Sequence, residues 1–141
     1  TNAMNSPKVL LLLLIVALFA WGFKFGGQLP KAYHARSCRG RDWRRAFPAA
    51  TKHEIREFLS FFVGAFAYND REKLKLAPTD EIRKLYRAQY PSRMQPDAME
   101  LETLARELGR MHGLELEALW KDNLTLGELF SRTLERRAAA K

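Results

Sequence analysis

At 141 residues and 16.3 kDa, the chain has the size of one compact domain plus an appendage and is too short for a two-domain enzyme. Hydrophobic residues make up 47% and charged residues 28%, which excludes global disorder; the single cysteine, Cys38, excludes an internal disulfide framework and a multi-cysteine zinc site. The net charge of +8 is unevenly spread: residues 1–45 hold eight Lys/Arg and one acid, whereas residues 46–141 hold sixteen Lys/Arg and fifteen acids. The folded part therefore lacks the basic excess of a nucleic-acid binder.

Thr1-Asn2-Ala3 ahead of Met4 reads as a remnant of cloning, which makes Met4 the expected native start. Residues 9–23 are uncharged and mostly apolar. As a helix they rise about 22 Å, short of a roughly 30 Å hydrocarbon core, but Lys24 can snorkel and residues 25–29 can extend the span. Two readings compete: a cleaved signal peptide, with small residues around Ala20-Trp21-Gly22, and an uncleaved anchor. The flanks favour the anchor. Lys8 precedes the apolar run, whereas Lys24, Lys31, Arg36, Arg39, Arg41, Arg44 and Arg45 follow it. Positive flanks stay cytoplasmic, so the expectation is a single-pass protein of the inner (cytoplasmic) membrane with its C-terminal domain inside; export is the alternative.

Residues 30–50 are basic and aromatic and read as a juxtamembrane linker with one helical turn near Asp42–Phe47. Arg36, Arg39, Arg41, Trp43, Arg44 and Arg45 are its candidate contacts to anionic lipid head groups, beside the plainer reading of a topology signal alone. From Thr51 to residue 137 the pattern predicts helices. Thr51-Lys-His-Glu54 is a capping box, followed by Ile55, Phe58, Leu59, Phe62 and Phe66 at helical spacing. Leu74 and Leu76 fall in a loop. Pro78-Thr79-Asp80 opens a helix with Ile82, Leu85 and Tyr86 on one side. A further helix from Asp97 turns Leu101, Leu104, Ala105, Leu108 and Met111 inward and ends at Gly113. A helical turn at Glu115–Trp120 precedes a second capping box, Thr125-Leu-Gly-Glu128, and a last helix with Leu126, Leu129, Phe130 and Leu134. The expected core also includes Leu119. No alternating strand pattern or internal repeat appears, so the fold class expected is all-α: a small helical bundle after an N-terminal transmembrane helix over residues 9–29.

No residue pattern carries catalysis. His53-Glu54 lacks the second histidine of a metalloprotease helix, because position 57 is Glu. Cys38 with His34 supplies two metal ligands at most, and His112 sits at a helix end. The expectation is no enzyme, no metal and no cofactor.

The order of segments over Thr51–Leu134 resembles the acyl carrier protein family, most closely in Leu76-Ala-Pro-Thr-Asp80 and Leu124–Phe130. In that family a long helix and a loop precede an Asp-Ser start to the second helix, and a short third helix and a Thr-led fourth follow. The resemblance implies a carrier-like bundle whose phosphopantetheine position is Ala98, which has no hydroxyl to carry the group. It also implies a partner surface at Asp97, Met99, Glu100 and Glu102. The resulting expectation is a membrane-anchored docking or scaffold module for an unidentified protein; the alternatives are a non-covalent acyl-chain or lipid binder and an exported helical protein.

Overall fold

The computed structural model describes residues 6–25, 27–89 and 99–140, with the backbone alone for 20–25. In chain order the elements are α1 (Pro7–Phe25), α2 (Lys31–His34), α3 (Gly40–Ala46), α4 (Lys52–Ala65), a 3-10 helix (Asp70–Lys75), α5 (Ile82–Gln89), α6 (Met99–His112), α7 (Leu116–Leu119) and α8 (Leu126–Ala139). The fold is all-α. The only strand-like pairing among the described residues is an isolated bridge between Glu81 and Thr125.

Helix α1 opens on Pro7, whose missing N–H costs nothing at a first helical position. Its 19 residues rise about 28 Å. Among the described residues no helix is long and apolar enough to cross a membrane. The side chains of Leu10–Leu14, Val16, Leu18 and Phe19 are each more than half exposed. The transmembrane helix expected over residues 9–29 is thus not supported, and α1 ends at Phe25. Gly27 already lies on the folded body, where its carbonyl accepts from Asn69 N–H at 2.7 Å, and Leu29 is buried in the core. Gly27 has φ +81°, and a Cβ there would collide with the Ala67 carbonyl oxygen, so only glycine fits this junction.

The stretch expected as a linker is instead an integral part of the body. Trp43 is fully buried on α3 and donates its indole N–H to the Leu76 carbonyl at 2.7 Å. Its ring meets Phe130 edge-on at 5.8 Å, and Phe47 meets Phe130 edge-on at 4.8 Å. Trp43 and Phe47 share one side of a helical turn while Arg44 and Arg45 point to solvent, so interleaved charges concealed a buried face.

Helix α4 begins with the reciprocal Thr51–Glu54 capping box and buries Ile55, Phe58, Leu59, Phe62 and Val63 along one stripe. It ends in a Schellman arrangement: Tyr68 N–H returns to the Val63 carbonyl and Ala67 N–H to the Gly64 carbonyl, with Ala67 at φ +59°. The stripe packs on the 3-10 helix and on α6, where Leu104 and Leu108 are fully buried. Leu101 and Ala105 are partly buried, whereas Met111, expected inward, is exposed. Gly113 turns the chain at φ +63°.

Residues 78–82 pair with 124–127: Ile82 N–H donates to the Leu124 carbonyl, Leu126 N–H to the Asp80 carbonyl, and Gly127 N–H to the Pro78 carbonyl. A Cβ on Gly127 would lie 2.9 Å from that Pro78 oxygen, which explains the glycine inside the Thr-Leu-Gly-Glu start of α8. Thr125 caps α8 by accepting from Glu128 N–H, while the Glu128 carboxylate reaches Lys121 at 2.8 Å rather than closing a box. Leu126, Leu129 and Phe130 complete the core.

Candidate functional site

The candidate residues fall on three surfaces. The first is a polar clasp that fastens residues 33–36 to the 3-10 helix and the loop after it. His34 Nδ1 lies 2.7 Å from Glu72 Oε1, and Lys75 Nζ lies 3.0 Å from Glu72 Oε2, an ion pair outside hydrogen-bond geometry. Arg36 donates to Asp80 Oδ2 at 2.7 Å, and the same oxygen accepts from Ala77 N–H at 2.7 Å. The Arg36 guanidinium also stands 4.5 Å over the Tyr33 ring. Its hydrogen bond to Asp80 raises the Arg36 pKa; burial, then the Asp80 carboxylate, push the Tyr33 phenol up. Glu72 and Asp80 are buried acids whose desolvation these cations offset.

Chemically, a carboxylate only accepts, so Glu72 sets the His34 ring with Nδ1 as the protonated nitrogen. A histidine oriented in this way is half of a general-base pair. No serine, threonine or cysteine is hydrogen-bonded to His34 among the described residues. The clasp joins His34 and Arg36 to the 3-10 helix and the loop after it.

The second surface is cationic. Of the candidate lipid contacts, Trp43 is in the core, Arg36 is tied to Asp80, and Arg39 stands 3.7 Å from Asp42. Arg41, Arg44 and Arg45 remain exposed. The third surface is the start of α6. Met99 is 63% exposed, Glu102 is exposed and Glu100 is half-buried. Asp97 and Ala98 lie outside the described residues.

The other chemistry-bearing residues stand apart. Glu54 serves the capping box, and exposed His53 is 3.5 Å from Glu57. His112 meets the Phe61 ring edge-on at 5.5 Å, and burial, then the Arg137 charge, lower its pKa. Among the described residues no group of three or more His, Cys, Asp or Glu is placed to hold a metal. Sequence reasoning missed Glu72, Lys75 and the inward role of Asp80. Glu72 and Lys75 sit in a short polar 3-10 helix and Asp80 in the loop after it, and His34 and Arg36 lie 38 to 44 positions away. No protein-family model, curated protein or solved structure matches the chain.

Proposed function

We propose that the protein is a non-enzymatic docking module held at a membrane by α1. The observation that carries this reading is the contrast between α1 and the body. A run of leucines with more than half of each side chain exposed continues into a domain whose apolar residues are tightly enclosed. Exposed apolar area on this scale needs a partner phase, and a bilayer covers an evenly apolar helix on every side. By itself α1 falls short of a full membrane span, so a single-pass anchor requires its terminal Lys8 and Lys24 to snorkel to the interfaces; the basic residues after it favour a cytoplasmic C-terminal domain.

The partner face of this reading is the start of α6, where Met99 and Glu102 project from a helix fixed by Leu104 and Leu108. A carrier-like ancestry without the prosthetic group is part of the proposal. The order α4, α6, the four-residue α7 and a Thr-capped α8 supports it. Full burial of Leu59, Phe62, Phe66, Leu85 and Leu104 favours docking over acyl-chain storage, since those side chains occupy the interior a lipid chain would need.

The test is photo-crosslinking in cells from a reactive amino acid placed at 99, at 102 and, as a control, at the exposed position 132. A discrete membrane-fraction adduct from 99 and 102 but not from 132 supports the reading. Equal labelling from all three positions, or none from 99 and 102, overturns the assignment of this face.

A further inference from the structure

The observation that the docking reading leaves unused is a pocket of about 70 Å³ where α3, α4 and the end of the 3-10 helix meet. Its charged lining is Arg44, Lys52 and Arg56; Ile55, Leu74, Gly40 and Cys38 complete it. The scaffold is fixed, because Arg39 N–H donates to the Leu74 carbonyl at 2.6 Å and joins the start of α3 to the end of the 3-10 helix. No carboxylate lines the pocket. Among the described residues Arg44, Lys52 and Arg56 form no ion pair, although Arg36, Arg39, Lys73, Lys75, Arg83 and Arg137 all do. Lys52 and Arg56 stand at i and i+4 on one helix face, a spacing at which like charges repel. Three cations without an ion pair border one small concavity, an arrangement that an anion relieves.

We infer that this pocket binds the phosphate of an anionic phospholipid, with Arg44, Lys52 and Arg56 as its ligands and Ile55 and Leu74 against the glycerol. This inference rests on the membrane reading and sharpens it from a diffuse basic flank to a built site. Position selects lipid over a free anion. The chain leaves α1 and meets the body at Gly27 against Asn69, immediately before the 3-10 helix. Leu74 is five residues further along, about 10 Å at the roughly 2 Å rise of a 3-10 helix. The pocket therefore lies within head-group reach of the point where the anchor ends. Arg44 gives a planar fork for phosphate oxygens, and Lys52 and Arg56 supply further charge from a second element.

Cys38, the only cysteine of the chain, reports on occupancy. The full chain is placed in phosphatidylcholine vesicles, and its alkylation by a neutral maleimide is timed as phosphatidylglycerol is added. The expected result is protection of Cys38 at a low phosphatidylglycerol fraction. The variant R44Q/K52Q/R56Q, which alters only exposed side chains, should bind this lipid roughly a hundredfold more weakly, at about fivefold per charge lost near the surface. Equal protection of the variant would show a surface-potential effect and overturn the site. Equal protection by inorganic phosphate in pure phosphatidylcholine would assign the pocket to a soluble anion and overturn the lipid. If the full chain fails to float with the vesicles, the anchor reading fails separately. The pocket is then decided by soluble dihexanoyl phosphatidylglycerol in the same alkylation assay, where no protection overturns it.

Discussion

Replacing Trp43 tests whether the basic segment after α1 is structure or tether. The side chain has no exposed surface, contacts Phe58 and Phe130, and satisfies a buried carbonyl through its indole N–H. Trp43→Ala removes a large ring from a packed interior, which costs about 3–5 kcal/mol. Against the roughly 5–15 kcal/mol that holds a domain of this size, that is about a fifth or more of the total. Trp43→Phe separates the two contributions. It retains most of the ring and the Phe130 contact but leaves the Leu76 carbonyl without its donor, at about 1–3 kcal/mol. Arg45→Gln, on the exposed side of the same helix, should change stability by less than about 0.5 kcal/mol. Urea unfolding of the full chain in zwitterionic detergent, followed by far-ultraviolet circular dichroism, ranks the three. A Trp43→Ala midpoint equal to that of Arg45→Gln would refute the packing argument and return residues 30–50 to the status of a linker.

Four further outcomes are expected. Asp80→Asn should cost about 3 kcal/mol in the same unfolding measurement, because a buried acid that holds Arg36 and the Ala77 N–H loses its charge. Ala67→Gly should raise stability by about 0.5–1 kcal/mol, since the left-handed C′ position penalises alanine by more than glycine loses in chain entropy. The His112 pKa is lowered in the folded state from 6.5, so the unfolded chain takes up the proton first. Stability supported by neutral His112 is thus complete above pH 6.5 and declines as pH falls, and His112→Gln should flatten that part of a melting-temperature profile. Incubation with a phosphopantetheinyl transferase and coenzyme A should leave the intact mass unchanged, because Ala98 offers no nucleophile; a mass gain would show that the carrier alignment is misplaced.

What was legible in the sequence is what local chemistry determines. Thr51 with Glu54 and Thr125 ahead of α8 mark two helix starts without any tertiary knowledge, and the Ile55–Phe62 stripe states its own buried side. Gly113 likewise ends α6 as its conformational freedom suggests. The boundary of the domain was not legible. Trp43 and Phe47 are single apolar residues among cations, and their partners, Leu76 and Phe130, are fixed only after the chain has closed on itself. A domain cut before Thr51 would leave those partners uncovered, so the folded unit begins near Gly27. Long-range polar pairs such as Arg36 with Asp80 have no periodicity to betray them. Met99 and Glu102 are exposed at the start of α6, whereas two of the residues expected to contact lipid are engaged inside the body. Trp43 is buried and Arg36 is tied to Asp80, while the proposed lipid pocket takes Lys52 and Arg56 from a helix whose sequence was read only for its core side.

The central claim, attachment through α1, is tested most directly by flotation with phosphatidylcholine vesicles, comparing the full chain with one beginning at Gly27. The account predicts that the full chain rises with the vesicles even in high salt, while the shortened chain, folded by circular dichroism, stays at the bottom of the gradient. A full chain that stays at the bottom, or a shortened chain that floats equally well, would contradict it.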